Sequence, residues 1–152
     1  MKIDDCNSGD EKRTEQIKLE IVSAEESIFS GSVKYVVVSG KEGELGIFPR
    51  HTQLLAAIRP GEVKIIDLDN LEKLYYVSGG FVEVQPDLVT ILADTVLRAE
   101  EIDQKRAEEA KKEAEKQLAT IQRSDRNYSQ ILVKLHKALA QLRISSQIQR
   151  RR

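Results

Sequence analysis

The chain has 152 residues, of which 40% are apolar, and its formal net charge is -1. These values are ordinary for one well-cored domain with an accessory element, and they give no reason to expect nucleic acid as a partner. The sequence has no run of about 20 apolar residues, which excludes a helix that spans a membrane.

The charge is distributed unevenly along the chain. Residues 1–98 contain 11 Lys plus Arg and 17 Asp plus Glu, whereas residues 99–152 contain 13 and 8. The first part therefore has a balance of -6 and the second a balance of +5. This difference predicts two structural units with different surfaces.

The first 16 residues are polar and acidic, which predicts a disordered extension. They lack the apolar core of a signal peptide and the Arg-rich composition of a transit peptide, so we expect the protein to stay in the cytoplasm. Cys6 is the only cysteine in the sequence. An internal disulfide is therefore excluded, and a reducing compartment fits.

Residues 17–96 have the pattern of an antiparallel β-sandwich or barrel. Ile17, Leu19 and Ile21 alternate with charged residues, which is typical of a half-buried strand, and the β-branched run 35–38 suits a more buried one. Turn residues then recur about every ten positions: Pro60-Gly61, Asp69-Asn70, Gly79-Gly80 and Pro86-Asp87. We expect each pair to separate two strands, with Gly79-Gly80 in a tight hairpin. Short strands without helices between them favour antiparallel pairing.

Residues 97–152 have the pattern of a two-helix hairpin with a basic tail. Glycine and proline are absent after residue 98, and the apolar positions take helical spacing. The first stripe is Ala107, Ala110, Ala114, Leu118 and Ile121; the second is Tyr128, Ile131, Leu132, Leu135, Leu139 and Leu142. The polar link 122–126 is short enough for an antiparallel pair. Because alanine allows close packing but buries little surface, we expect a closely packed, weakly held hairpin.

Four short motifs resemble, in the same order, those of the epsilon subunits of bacterial F-type ATP synthases: 43–51, 54–63, 77–81 and 102–107. The resemblance runs from about Ile17 to about Ile144. It implies a non-catalytic central-stalk rotor subunit that couples the membrane c-ring to the gamma subunit during proton-driven ATP synthesis. It also implies helices that inhibit ATP hydrolysis when they extend to the alpha and beta subunits. The expected location is the cytoplasmic face of the bacterial inner membrane, as a peripheral protein without nucleic acid and without a required cofactor.

The resemblance assigns Glu44 and His51 to the contact with the polar loops of the c-ring. Glycines on either side of Glu44 permit a sharp turn, and Pro49 stiffens the segment that carries His51. The alternative is that Glu44 solubilises a loop and that His51 is a turn residue.

Ile102, Asp103, Arg106 and Ala107 match the ATP-binding pattern of the family, which Lys137 on the second helix would complete. Arg106 is suited to a forked contact with phosphate, and Asp103 would serve as a polar acceptor. We expect weak ATP binding at most, because Lys137 and Gln141 stand where tight binders have arginines and Leu97 replaces an acidic residue. Alternatively, Asp103 caps the helix and Arg106 pairs with Glu109 or with Asp103.

The end of the chain is strongly basic, with eight Lys and Arg residues from Arg123 onward and one acid, Asp125. Five of the cations form the predicted inhibitory basic helix: Arg123, Arg126, Lys134, Lys137 and Arg143. Charge of one sign suits an acidic partner surface. The alternative is a solvated face on a static stalk, because exposed charge pairs contribute only about 0 to 1 kcal/mol each.

No pattern in the sequence supports catalysis or metal binding. Gly40-Lys41 lacks the remainder of a phosphate loop, and the two histidines, His51 and His136, lie in different halves of the chain. Asp67 and Asp69 fit a turn between strands. The other functions considered are an ATP-sensing regulatory module and a plain adaptor; an enzyme comes last.

Overall fold

The computed structural model describes residues 16–151. The predicted extension, residues 1–16, lies outside this range except for Gln16. Cys6 is therefore outside the described residues. The strands are β1 Ile17–Ser23, β2 Ser27–Gly40, β3 Gly43–Ile47, β4 Leu54–Asp67, β5 Glu72–Val77, β6 Gly80–Val84, β7 Leu88–Ala93 and β8 Val96–Arg98. A 3-10 turn, Ala99–Glu101, leads to helices α1 Gln104–Thr120 and α2 Tyr128–Arg151.

The eight strands form one sheet that folds over on itself. Its order is β3-β2-β1-β7-β6-β4-β5-β8, and the long strands β2 and β4 also pair with each other. This additional pairing brings the two layers of a sandwich together. The predicted fold class, an antiparallel β-sandwich followed by a helical hairpin, is confirmed, although β1 and β7 pair in parallel.

The core of the sandwich follows from the alternation in the strands. In β1, Ile17, Leu19 and Ile21 are buried while Lys18 and Glu20 are exposed, as the period of two predicts. Matching valines and isoleucines from the other strands, such as Val63 and Ile91, complete the interior. Burial of this apolar set is the main stabilising contribution to the domain.

The predicted break at Pro60-Gly61 is wrong, because β4 continues through both residues. The first half of β4 pairs with β6 and the second half with β5 and β2, so the strand changes partners here rather than turning. A Cβ atom at Gly61 would lie 2.7 Å from the Cβ of Ser39. Glycine is therefore needed where β2 approaches most closely, which is a known use of glycine within strands.

The predicted hairpin at Gly79-Gly80 is also wrong. Both residues have the expected positive φ, 115° and 136°, but β5 pairs with β4 and β8, whereas β6 pairs with β4 and β7. The segment therefore connects two parts of the sheet instead of closing a hairpin. A Cβ atom at Gly80 would collide with the carbonyl oxygen of Leu92, which explains the second glycine.

The other two predicted turns are confirmed. The Asp67 carboxylate accepts the N–H groups of Asp69 and Leu71 at 3.0 and 2.9 Å and pairs with Lys73 at 3.3 Å, while Asn70 has a φ of 62°. The hydrogen bond from Leu71 is the main cause that lowers the pKa of Asp67. At the Pro86-Asp87 turn, the N–H of Gln85 donates to the carbonyl of Leu88 at 2.8 Å.

The helices form an antiparallel pair, as predicted. Gln149, near the end of α2, donates to Gln104 at the start of α1 at 2.9 Å. Buried alanines, Ala107 and Ala114 on α1 and Ala138 on α2, lie along the pair, and their small size allows the helices to approach closely. The predicted domain boundary at residue 96 falls inside β8, which ends at Arg98.

Candidate functional site

Helix α2 packs on the sandwich as well as on α1. Ile144 is 1% exposed and forms, with Leu74, Tyr76 and Ala99, a cluster distinct from the sandwich core. We call these four residues the docking cluster. Partly buried side chains pack around it: Leu97, Ile102, Ala140 and Ile148. The helical hairpin is therefore held to the sandwich by a second, much smaller apolar core.

A row of side chains crosses the sheet next to this cluster. Strand register places Ser39 opposite Glu44, Glu62 opposite Tyr76, and Tyr76 opposite Leu97. The hydroxyl of Ser39 donates to the carbonyl of Glu62 at 3.3 Å, which connects the two halves. We call Glu44, Ser39, Glu62 and Tyr76 the polar row. Residues opposite one another in a sheet project to the same face, so α2 covers a polar part of the sandwich.

A cavity of about 290 Å³ separates part of the polar row from α2. Glu44, Glu62 and Arg59 line its sandwich wall, and His136 and Arg143 line its helix wall. Among the described residues, the side chains of Arg59 and Arg143 have neither an ion pair nor a hydrogen bond. The Oε2 atom of Glu62 is buried and likewise has no hydrogen-bond partner in the described part of the chain. Water can solvate the two exposed arginines, so the buried Glu62 oxygen is the poorly satisfied group at this end of the interface.

The hydroxyl of Tyr76 is the second unsatisfied group under α2. The residue is 1% exposed, and burial raises the pKa of Tyr76 to about 12, although the nearby Gln141 side chain partly opposes the shift. The hydroxyl oxygen makes no well-formed hydrogen bond with a described residue, and its contact with the Gln141 side chain on α2 is a weak one. Sequence reasoning missed Glu62 and Tyr76, because only the pairing of β4 with β5 brings them together.

The two residues assigned to the c-ring occupy different elements, strand β3 and the loop that follows it. Glu44 is exposed on β3, which among the described strands pairs only with β2 and so forms an edge of the sheet. His51 follows Arg50, whose φ is 62°, and its Nδ1 lies 2.7 Å from the carbonyl oxygen of Thr52. The N–H of Arg50 donates to the carbonyl of Pro86 at 2.9 Å, which ties this loop to the turn between β6 and β7. Neither side chain bonds the other within residues 16–151.

The residues of the ATP-binding pattern occupy the start of α1. Asp103 is the N-cap residue and accepts the backbone N–H of Arg106 at 3.2 Å, as the structural alternative predicted. Ile102 packs against the docking cluster, and Ala107 is 1% exposed. Lys137 lies in a groove beside Glu113 of α1. Glu113 is about 10 Å of helix rise from Arg106 along α1. The docked hairpin therefore does not gather the whole set in one place.

The five cations of the predicted inhibitory helix occupy three places. Arg123 and Arg126 are exposed in the link between the helices. Lys134 and Lys137 lie along the groove between α1 and α2, whereas Arg143 lines the cavity over the polar row. None of the five forms an ion pair with another described residue. In this position of the hairpin they do not make one continuous face.

A second row crosses the opposite part of the sheet, and the described residues leave it largely uncovered. Register places Val22 opposite Leu92, Leu92 opposite Phe81, and Phe81 opposite Ala57. Phe81 and Leu92 are 55% and 50% exposed, and Leu55, further along β4, is 70% exposed. We call these five residues the open apolar face. The sequence signal for this face is the presence of apolar residues on both sides of β6 and β7.

The described residues offer no support for two other classes of site. No group of three or more His, Cys, Asp or Glu side chains between residues 16 and 151 is placed to hold a metal ion. Within the same range, no helix has the length and apolar character needed to cross a membrane.

Comparison with known families agrees with the division into sandwich and hairpin. Residues 16–99 match the model for the beta-sandwich domain of the ATP synthase delta/epsilon chain, and residues 100–146 match the model for its long alpha-helix domain. The chain belongs to the ATP synthase delta/epsilon family. As a delta/epsilon chain it is a non-catalytic stalk subunit of ATP synthase.

Solved structures share the fold at low sequence identity. One chain of the Euglena gracilis mitochondrial ATP synthase superposes with a TM-score of 0.73 at 23% identity, over 91% of this chain and 88% of the other. A chain from the central stalk and c-ring of the Tetrahymena thermophila enzyme gives 0.57 at 17% identity, over 87% and 95%. The arrangement of sandwich and helices in this delta/epsilon chain is therefore shared with distant ATP synthase subunits.

Proposed function

We propose that this delta/epsilon chain is the rotor subunit of a proton-translocating ATP synthase, that it couples the c-ring to the gamma subunit, and that its C-terminal helices inhibit ATP hydrolysis. The observation that carries the proposal is the separation of the two apolar cores. Because the docking cluster is small and contains no residue of the sandwich core, the hairpin can leave the sandwich without unfolding it. Such a movement would bring the helices to the alpha and beta subunits.

The open apolar face supports a permanent contact with gamma. A contiguous apolar surface of this kind is expensive to expose to water and marks an interface. It lies on strands whose other side forms the sandwich core, so its geometry does not depend on the hairpin. A rotor subunit needs one attachment that persists when its helices move, and this face has the required rigidity.

Glu44 and His51 support contact with the c-ring through exposed polar groups. Glu44 projects from an edge strand, and the anchored loop limits the movement of His51. Polar contacts of this kind set orientation and tolerate rearrangement better than an apolar seal does. The assignment to the ring stays a prediction, and so do the bacterial origin of the chain and its place at the cytoplasmic face of the plasma membrane.

Inhibition is tested by reversing charge on α2 within the reconstituted enzyme. Replacing Lys134, Lys137 and Arg143 with glutamate should raise ATP hydrolysis, because an extended α2 would then be repelled by an acidic partner surface. The matched control reverses three exposed cations on α1, Lys105, Lys112 and Lys116. Deletion of residues 124–152 should act like the α2 variant while assembly persists. Equal hydrolysis in wild type and in both α2 changes would leave α2 as a static element.

We also propose weak ATP binding at Ile102–Ala107 as a second candidate function. It is favoured by the exposed side chain of Arg106, which has no ion pair in the described part of the chain. The capping bond of Asp103 competes with a role in binding ATP, and Lys137 is distant in the docked hairpin. We therefore expect ATP to bind weakly and to modulate the position of the hairpin.

A further inference from the structure

Two buried oxygens that lack a well-formed hydrogen bond belong to facing residues on neighbouring strands beneath α2. Glu62 on β4 and Tyr76 on β5 form a cross-strand pair. Neither the Glu62 Oε2 atom nor the Tyr76 hydroxyl makes a well-formed hydrogen bond with a described residue, although the Gln141 side chain of α2 contacts the hydroxyl weakly. These are the two buried side-chain polar atoms left unsatisfied between residues 16 and 151. Their position on one pair of strands, under one helix, relates both of them to docking of the hairpin.

The poorly satisfied hydroxyl opposes docking but not folding of the sandwich. Tyr76 packs with Ile144 and Ala99 in the docking cluster and is absent from the sandwich core. When α2 leaves, the hydroxyl regains hydrogen bonds to water, and this gain favours the undocked state. The aromatic ring has the opposite effect, because its burial favours docking. One side chain therefore both positions the helix and limits how firmly it is held.

We infer that Tyr76 is a positioning residue for the helical hairpin, and that its poorly satisfied hydroxyl, on the residue opposite Glu62, keeps the docked hairpin releasable. The regulatory meaning of this inference rests on the proposed function, since release matters only if the helices act elsewhere. The docking equilibrium itself is a property of the isolated protein. The two can therefore be tested separately.

The test measures how often α2 leaves the sandwich. In a Cys6→Ser background, Ile144→Cys places a thiol in the docking cluster, and its rate of modification by a thiol reagent is proportional to the undocked fraction. Adding Tyr76→Phe should slow modification by about 5- to 150-fold, which corresponds to about 1 to 3 kcal/mol for an unsatisfied buried polar group. An unchanged or faster rate would overturn the inference, because the hydroxyl would then be neutral or stabilising when docked.

Tyr75→Phe is the matched control. Tyr75 adjoins Tyr76 in β5 but belongs to the sandwich core, where its ring meets Phe29 at a centroid distance of 6.2 Å. We expect this variant to leave the modification rate unchanged; a decrease equal to that of Tyr76→Phe would contradict a specific role for Tyr76. If Ile144→Cys alone abolishes docking, the thiol is moved to Ile148→Cys, at the edge of the cluster.

A second measurement separates this inference from the proposed inhibition. In the reconstituted ATP synthase, Tyr76→Phe should raise ATP hydrolysis, because a hairpin held on the sandwich cannot inhibit. Slower thiol modification with unchanged hydrolysis would support the positioning role and refute inhibition by the released helices. Unchanged modification would refute the positioning role whatever the hydrolysis rate.

Discussion

Truncating Ile144 to alanine should detach the helical hairpin while leaving the sandwich folded. Ile144 is 1% exposed and provides the only α2 side chain that is buried in the docking cluster among the described residues. Ile144→Ala removes three carbons, which at about 0.8 kcal/mol per buried methylene amounts to about 2.4 kcal/mol. The docking equilibrium constant should therefore fall by about 50-fold. A residual cavity would raise the cost toward the 2 to 5 kcal/mol range typical of such truncations.

Two controls distinguish detachment from general destabilisation. Leu139→Ala truncates a side chain on the same helix that is 41% exposed, so its effect on docking should be much smaller. Ile65→Ala truncates a fully buried residue of the sandwich core and should destabilise the sandwich itself by about 2 to 5 kcal/mol. The three variants compare a docking residue, a surface residue and a core residue.

Limited trypsin digestion and thermal melting together provide the assay. Residues 99–152 contain 13 Lys and Arg, so a detached hairpin offers many cleavage sites. Ile144→Ala should speed cleavage in this region and leave a resistant fragment that contains the sandwich strands, whose melting temperature is retained. If Ile144→Ala and Ile65→Ala instead lower one common melting transition by similar amounts, the two cores unfold as a unit. The mechanical separation of hairpin and sandwich would then be refuted.

Two further predictions concern the assigned contacts. Replacing Glu44 and His51 together with alanine should weaken ATP-driven proton pumping in reconstituted membranes while soluble ATPase activity changes little, because turn and edge polar groups contribute little to the core. The matched control is Glu42→Ala, at an exposed residue in the turn before β3. Wild-type pumping in the double variant would remove both residues from the ring contact. In calorimetry, the isolated protein should bind ATP with a dissociation constant no lower than about 1 mM, which corresponds to about 4 kcal/mol of binding free energy. Arg106→Ala should abolish the heat of binding, whereas the control Lys105→Ala should retain it. Micromolar affinity in the wild type would favour nucleotide sensing over the mechanical role.

The sequence was sufficient wherever the determining interactions are local. Alternation in β1, the Asp67 turn and the burial of Ala107 and Ala114 in α1 follow from patterns a few residues long, and the structure confirms them. Ala110, also predicted for the buried stripe of α1, is exposed. The capping role of Asp103 was foreseen as one of two alternatives for the same reason, because an N-cap bond reaches only three residues ahead. Motif order then sufficed to indicate the family, which the matches over residues 16–99 and 100–146 confirm.

Tertiary structure decided which strands pair and what the helices cover. Pro60-Gly61 and Gly79-Gly80 have the composition of turns. Pairing with distant strands instead makes Pro60-Gly61 the point where β4 changes partners and makes Gly79-Gly80 a connection between two parts of the sheet. Glu62 and Tyr76 are 14 positions apart, and neither is unusual until β4 and β5 pair and α2 excludes water above them. Long-range pairing and burial depend on the whole fold, so the docking cluster, the polar row and the open apolar face emerge only when the chain is folded.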